Sequence, residues 1–376
     1  TVEMDNTDKL KVLFEDAVKN FGLTFEPPDV NRGNYRFEPV SDTVIRYGLG
    51  AVKGTGQSAI EAIVRAREEG GPFRSLFDFC VRVDRSRVNK RTVEALVKAG
   101  AFDALHLNRA SLVASIDRAF DFATATEAHA NQGGLFDLDE GAHGASTTEP
   151  DRVEATPWGV KERLTFEKTA VGFYLSGHLF DEVSAEVRRF VRRSIDELID
   201  SREPQLLAGI VSDLRVINGQ RGKLAIFKLD DKSAVIEATA DEGVLNANRH
   251  LLRDDELVVV MGRLQPDRFS GGFRLSVQQV WDLASARCRF GKYLKVAVNG
   301  QAPDVQRLVR EFPARREQGE QGELVRGLPV RLALRRHGAT AELQLGEAAR
   351  FFPSDAALAS WMAQADGGQA HIVYET

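Results

Sequence analysis

The order of apolar and polar positions in residues 48–64 predicts a short helix, a tight turn and a second helix. Ile60 and Ile63 recur at helical spacing and would belong to the buried face of the second helix. Gly54 and Gly56 lie between the two helices. Glycine adopts backbone conformations that residues with a Cβ avoid, so the chain can turn tightly at this point.

The start of the second helix is the first candidate binding site. Ser58 followed by Glu61 matches a capping box. The first N–H groups of a helix have no acceptor within the helix, and Lys53 lies beside them in the sequence, which is typical of a docking point for a phosphate. The pattern therefore predicts a helix-hairpin-helix module that holds a nucleic-acid backbone. An ordinary loop between two packed helices remains the alternative.

Residues 97–102 predict a second, weaker hairpin about one module after the first. Two hairpins related by pseudo-symmetry can hold both strands of a duplex, because two phosphate backbones then meet two equivalent N–H clusters. The residues predicted to contact the duplex backbone are Lys53, Gly54, Thr55, Gly56, Gln57, Ser58, Lys98 and Gly100.

Residues 123–156 are rich in alanine, glycine, threonine and acidic residues, with few apolar anchors. We expect a flexible linker, because such a segment buries too little surface to order itself. Within it, Gln132 precedes the bulky pair Leu135 and Phe136. This spacing is typical of a short peptide that docks into a hydrophobic pocket of a partner, and a chance apolar pair in a loop is the alternative.

Residues 204–284 predict five strands with a helix between the third and the fourth, which is the element order of a five-stranded OB-fold β-barrel. The segment Asn218-Gly219-Gln220 indicates a hairpin between the first two strands. Such barrels often stack single-stranded bases on exposed aromatic rings beside a basic groove. The candidates for contact with single-stranded DNA are Arg221, Lys223, Phe227, Arg268, Phe269 and Arg274, although Phe227 could instead belong to the core.

The other segments complete a multidomain α+β organisation. Residues 1–47 mix one helix with extended chain and are too short to fold alone, whereas residues 48–122 and 157–203 are mainly helical. Residues 291–376 predict the order β-α-β-β-α-β. This last module contains no glycine-rich or acidic motif, so we expect it to bind a protein.

Composition limits the classes of function. Of the 376 residues, 43% are hydrophobic and 28% charged, which is typical of a globular protein, and the net charge of −5 argues against a uniformly basic nucleic-acid binder. Residues 82–98 nevertheless carry six basic side chains against two acidic ones, which predicts a local basic face or a solvated helix surface. The two cysteines are far apart and the histidines are scattered, so we expect no zinc site and a cytoplasmic protein.

The sequence contains no constellation typical of catalysis. Nucleotidyl transfer needs two or three carboxylates that converge on metal ions. The pair Asp137 and Asp139 falls in the predicted linker, and Asp230-Asp231 falls in a predicted turn. We therefore expect no catalytic site and no metal site in this chain. Because the sequence opens at Thr1 without a methionine, we also expect a fragment.

Several motifs together resemble the C-terminal part of the bacterial DNA polymerase III alpha subunits, the C family of replicative DNA polymerases. The resemblance extends over nearly the whole chain and is weakest after Tyr293. One departure is His178-Leu179, where the family usually has His-Pro, which leaves the local turn in question. The matching segments are Met4-Asp5-Asn6-Thr7, 27–31, 47–56, 99–103, 172–178 and 229–231.

The resemblance implies a role and a partner for each segment. Residues 1–47 would end the fingers domain, 48–122 would form a tandem helix-hairpin-helix on duplex DNA, and 204–284 would lie near the single-stranded template. Gln132, Leu135 and Phe136 would bind the sliding clamp beta, and residues 291–376 would contact the clamp-loader tau subunit. The parent protein would be a DNA-directed DNA polymerase, whose palm, with its catalytic aspartates and Mg²⁺, lies upstream of Thr1.

Two other interpretations remain open from the sequence. The first is a complete accessory protein that binds single-stranded DNA and has no polymerase ancestry. The second is the error-prone paralogue of the alpha subunit, which shares the polymerase core. The clamp motif and the C-terminal module favour the replicative form.

Overall fold

The computed structural model describes residue 4 and residues 6–133, 148–219, 222–266, 272–319, 322–336 and 338–374. The chain divides into two compact units, Thr1–His178 and Leu179–Thr376. Within the described residues the helices and strands confirm the predicted mixture of α and β structure.

The first unit is mainly helical and has one hydrophobic core. Tyr47, Ile60, Phe79 and Phe102 are fully buried in it, so the predicted end of the fingers and the predicted hairpin module share one interior. A small sheet in the order β1-β3-β2 packs beside the helices. The elements are α1 (Thr7–Phe21), β1 (Thr24–Glu26), β2 (Glu38–Pro39), β3 (Val44–Arg46), a 3₁₀ turn (Leu49–Ala51), α2 (Gln57–Gly70), α3 (Leu76–Arg82), α4 (Lys90–Lys98), α5 (Arg109–Gly133) and α6 (Val160–Val171).

The predicted linker is wrong in its first part, because α5 continues to Gly133 instead of ending near residue 122. Alanine is the best helix former, and this stretch contains several. Arg85 also anchors the extension, since its guanidinium pairs with Glu127 and donates to Thr124 Oγ1 at 2.5 Å. The composition of the segment therefore hid a helix that tertiary contacts stabilise.

The last part of the predicted linker is extended chain that hydrogen-bonds to the flank of α5. The Val153 N–H donates to Ser115 Oγ at 2.9 Å, and the Ala155 N–H donates to Ser111 Oγ at 3.0 Å. Ser111 and Ser115 are fully buried and lie four residues apart on the same helix face. Two small hydroxyl side chains thus give the extended segment backbone partners that apolar patterning does not reveal.

The second unit begins with α7 (Asp181–Val187), so the predicted helical connector 157–203 is divided between the two units. Five strands then form a closed barrel in the order β4-β5-β6-β8-β7, which confirms the predicted barrel. Its interior contains Val211, Phe227 and Leu275, all buried. The elements are β4 (Gln205–Gly219), β5 (Gly222–Asp230), β6 (Val235–Ala240), α8 (Glu242–Ala247), β7 (Leu257–Pro266) and β8 (Phe273–Trp281).

Helix α9 (Leu283–Phe290) leads from the barrel to a four-stranded sheet in the order β13-β12-β9-β14. The strands and helices follow the predicted order, with an additional hairpin, β10 and β11, that the pattern did not indicate. Strands β9 and β12 are parallel neighbours. The elements are β9 (Gly291–Val298), α10 (Val305–Glu311), β10 (Arg315–Gly319), β11 (Gly322–Arg326), β12 (Val330–Arg336), β13 (Ala339–Gln344), α11 (Asp355–Gln364) and β14 (Ala370–Tyr374).

Candidate nucleic-acid interface

Thr55 fixes the turn that precedes α2. Its hydroxyl lies 2.7 Å from the carbonyl oxygen of Val52 and 3.0 Å from that of Leu49, and its N–H donates to Val52 at 3.2 Å. Gly54 has φ +84, a left-handed conformation that a side chain would strain. Hydrogen bonds within the turn therefore stabilise it, and the Thr55 amide is not available to a ligand.

The start of α2 presents its backbone to solvent. The cap residue is Gly56, without a hydrogen bond from a side chain, so the predicted capping box at Ser58 and Glu61 is wrong. Gly56, Gln57 and Ser58 are exposed, and a side chain placed on Gly56 would meet nothing within 4 Å. The N–H groups of Gln57 and Ser58 thus lack acceptors within the helix and belong to exposed residues.

Lys53 places a positive charge beside these amides. Its own N–H donates to the carbonyl oxygen of Ala170 at 2.7 Å, near the end of α6, and its side chain is exposed. The contact ties the turn to a neighbouring helix while leaving the ammonium group at the surface. A helix N-terminus with a nearby cation favours an anion by charge and by hydrogen-bond geometry.

The second predicted hairpin differs from the first. The N–H groups of Ala99, Gly100 and Ala101 donate to the carbonyl oxygens of Ala95, Val97 and Leu96 at 2.9–3.0 Å. Gly100 is buried, with φ +89. These three amides therefore end helix α4 instead of facing a ligand, and the prediction that the Gly100 backbone holds a phosphate is wrong.

Lys98 is also engaged within the protein. Its Nζ lies 2.6 Å from Glu94 Oε1 and 4.7 Å from the ring centre of Phe166. The exposed fraction of the Lys98 side chain is 20%, whereas Lys53 is exposed. Of the two predicted lysines, Lys53 is the one that the fold presents to a partner.

A buried arginine that sequence reasoning missed supports the second hairpin. The Arg109 guanidinium donates to Asp103 and to the carbonyl oxygen of Lys98, and its Nη1 lies 3.4 Å from Glu167 Oε2. Burial by itself would lower the pKa of Arg109, but the hydrogen bonds and charges of Asp103 and Glu167 raise it above its ordinary value. A side chain on Gly100 would lie 2.3 Å from the Arg109 guanidinium, so only glycine fits there.

The barrel brings only part of the predicted single-strand site to the surface. Phe227 has 1% of its surface exposed, so the prediction that it stacks on bases is wrong and its ring belongs to the barrel core. Lys223 is exposed on β5. Arg274 Nη2 pairs with Glu237 Oε1 at 2.6 Å across neighbouring strands. The remaining candidates, Arg221, Arg268 and Phe269, lie outside the described residues.

Two exposed apolar side chains at the same end of the barrel were not predicted. Val216 and Ile217 have exposed fractions of 50% and 45% near the end of β4. The next residue, Asn218, pairs with Lys223 on β5. This hairpin therefore combines apolar contact surface with a cation, a combination that suits a nucleic-acid strand.

The predicted clamp-binding peptide lies almost entirely outside the described residues. The backbone of Gln132 belongs to the last turn of α5. Leu135 and Phe136 lie outside the described residues. The assignment of Gln132, Leu135 and Phe136 to a partner therefore stays a prediction.

The Asp231 carboxylate accepts hydrogen bonds from neighbouring residues. Its Oδ2 accepts the Ile195 N–H at 3.0 Å and Arg188 Nη2 at 2.8 Å, and its Oδ1 accepts the Ser233 N–H at 3.1 Å. The carboxylate is buried, with all of these donors directed at it. It organises the turn between β5 and β6.

Two kinds of feature are absent from the described residues. In residue 4 and the ranges from 6–133 to 338–374, no three acidic, histidine or cysteine side chains come together as metal ligands. No helix in the same part of the chain has the length and apolar character needed to cross a membrane.

Comparison with known families agrees with the geometry. A family model described as "Helix-hairpin-helix motif" matches residues 22–112, and one described as "OB-fold nucleic acid binding domain" matches residues 206–283. The fold thus defines a protein that combines a helix-hairpin-helix module with an OB-fold of the nucleic-acid-binding type.

Curated relatives identify the family more closely, and three proteins named "DNA polymerase III subunit alpha" illustrate the similarity. The protein from Neisseria meningitidis serogroup B is 42% identical over 83% of this chain and 27% of its own length. The proteins from Pseudomonas aeruginosa and Escherichia coli K12 are 39% and 33% identical, each over 94% of this chain and over 31% and 30% of their own lengths.

The chain is homologous to the C-terminal part of bacterial DNA polymerase III alpha subunits, which confirms the predicted family. It spans about 30% of the length of these relatives.

Proposed function

We propose that this chain is the DNA-holding and clamp-binding portion of a replicative polymerase alpha subunit. The observation that carries the proposal is the exposed start of α2, where the amides of Gln57 and Ser58 lie beside Lys53. This arrangement suits a phosphate group of duplex DNA. Catalysis, with its Mg²⁺, belongs in this proposal to a palm outside the present sequence.

The grip on duplex DNA is asymmetric. The first hairpin offers exposed amides and a free-standing cation, whereas the second hairpin uses its three amides to end α4. We therefore infer that one phosphate backbone is held at α2. The second hairpin contributes the rigid support that Arg109 and Asp103 provide.

The barrel, the clamp-binding peptide and the C-terminal module complete the proposal. The β4–β5 hairpin, with Lys223 and the exposed Val216, would guide single-stranded template. The peptide Gln132–Phe136 would bind the sliding clamp beta and keep the enzyme on DNA. The module 291–376 would contact the tau subunit of the clamp loader.

The experiment compares two lysines of one module. Lys53→Gln should weaken binding of a fluorescein-labelled duplex about five-fold and lower its salt slope by about one, because one phosphate contact is lost. Lys98→Gln removes the same charge from a side chain that already pairs with Glu94, and its effect should be less than two-fold. Equal effects of the two variants, or none from Lys53→Gln, would contradict the proposed grip.

A further inference from the structure

The C-terminal sheet has one covered face and one open face. Leu294, Val296 and Leu332 point toward α10 and α11 and are buried with Leu308 and Trp361. Successive side chains of a strand alternate between faces, so the neighbours of these residues point the other way. Those neighbours include Tyr293, Lys295, Ala297, Arg331 and Ala333, all of which are partly exposed.

A row of nitrogen-bearing side chains crosses this open face. The strand register places Arg331 beside Lys295 and Lys295 beside His371, on three adjacent strands. Like charges at neighbouring positions of a sheet destabilise it. Glu342 partly offsets the cost, because it pairs with Lys295 at 2.6 Å and with Arg331 at 3.1 Å.

Further cations flank the row. Burial lowers the pKa of His371, and the charges of Arg189 and Lys295 lower it further. Arg335 is exposed at the other end of the face. The face therefore carries more positive charge than Glu342 and Asp366 neutralise.

A hollow of about 680 Å³ lies in the middle of the open face. Ala297 and Ala333 are register neighbours and form its floor, because two methyl groups leave space where larger side chains would fill it. Lys295 and His371 border one end, and Arg335 and Thr340 the other. The hollow thus has an apolar floor and a cationic side chain at each end.

Beside the hollow, Arg331 provides a stacking surface. Its guanidinium lies over the Tyr293 ring, 3.8 Å from the centroid, and its Nη1 donates to the Tyr293 hydroxyl at 3.0 Å. Nucleic-acid bases stack on aromatic rings and on guanidinium planes. The pair is already fixed in place, so a base that stacks there orders no further side chain.

We propose that this open face binds single-stranded nucleic acid, with a base over Ala297 and Ala333 and phosphates against Lys295 and Arg335. The stacked pair of Arg331 and Tyr293 favours this occupant over an acidic peptide, because a base can stack on that pair and a peptide carboxylate cannot. The site is separate from the hairpin and the barrel, and it adds a third point of contact for a strand.

Photocrosslinking of the whole chain to an oligo(dT) that contains 5-iodouridine tests the proposal, with the sites mapped by peptide mass spectrometry. We expect crosslinks in the peptides of β9 and β14. The yield there should fall at least five-fold in the double variant Lys295→Gln/Arg335→Gln. The matched control is Arg307→Gln/Arg310→Gln, which removes two exposed cations from α10, the helix on the covered face, and should leave the yield unchanged.

A second variant guards against misfolding, because Lys295 also pairs with Glu342. Ala297→Glu keeps every cation but puts a carboxylate on the floor, and it too should abolish the crosslink. Crosslinks confined to the hairpin and the barrel, or equal losses in the control, would overturn the proposal. The proposal would also be overturned if oligoglutamate or free dTMP suppresses the crosslink to β9 and β14 as well as unlabelled oligo(dT) does.

Discussion

Arg109 and Asp103 form an ion pair through two parallel hydrogen bonds, with Arg109 Nε 2.8 Å from Oδ1 and Nη2 2.6 Å from Oδ2. The pair joins the start of α5 to the turn after α4, and Arg109 also reaches the carbonyl oxygen of Lys98. Planar, two-bond pairs of this kind are the stronger ones and fix geometry as well as charge. The pair therefore fixes the position of the second hairpin relative to the start of α5.

Replacing Arg109 by lysine should destabilise the first unit by about 2–4 kcal/mol, because a single ammonium cannot satisfy Asp103 and the Lys98 carbonyl together. Urea denaturation followed by circular dichroism measures the change. The matched control is Arg87→Lys, since Arg87 pairs with Asp84 at the surface, where such pairs contribute below about 1 kcal/mol. A similar loss in both variants would contradict the structural role of Arg109.

Phe227 offers a test of core against stacking roles in the barrel. Phe227→Ala should cost about 3–5 kcal/mol, the usual range for a buried aromatic ring, and Phe227→Leu should cost less because it retains much of the volume. Binding of oligo(dT) to Phe227→Leu, measured by fluorescence anisotropy, should stay within two-fold of the unmodified chain. A ten-fold loss of affinity in a folded Phe227→Leu variant would return the ring to the binding surface.

Substitution of its two apolar residues tests whether the predicted peptide binds the clamp. Leu135→Ala with Phe136→Ala should abolish binding to immobilised sliding clamp in surface plasmon resonance, because two buried anchors would be lost. Asp139→Ala alters the same segment outside the motif and should leave the affinity unchanged. If the double variant binds normally, the segment is not the clamp contact.

The ion pair of Glu186 with Arg287 predicts that acid destabilises the junction between the barrel and the last module. Burial by itself would raise the pKa of Glu186, but hydrogen bonds and charge from Arg287 hold it below its ordinary value of 4.5. A carboxyl whose pKa is lowered by folding stabilises the fold above 4.5, and this contribution is lost as the pH falls through the lowered value. Glu186 Oε1 and Oε2 each lie 2.7 Å from the Arg287 guanidinium.

Thermal denaturation between pH 6 and pH 3 checks this prediction. The melting temperature of the unmodified chain should fall more steeply below pH 4.5 than that of Glu186→Gln, which has no carboxyl to protonate. At pH 6 the variant should be the less stable of the two, because the buried Arg287 would lose the charge of Glu186 and keep only that of Asp355. Parallel curves for the two proteins would show that Glu186 does not control the junction.

Local chemistry made much of the fold predictable from the sequence. Alternating apolar residues and the turn at Asn218 specified the barrel, because a strand with one face in the core repeats every two residues. Gly54 located the first hairpin, since few other residues tolerate its left-handed conformation. These signals lie within a few positions of one another, so the chain displays them directly.

Tertiary structure decided which of the predicted residues face a partner. Phe227 and Val216 both belong to the first two strands, yet closure of the barrel buries the first and exposes the second. Lys53 and Lys98 look equivalent until Glu94 and Phe166 engage one of them. The row from Arg331 to His371 exists only because three strands distant in sequence pair in one register, and pairing of that kind depends on the folded core rather than on neighbouring residues.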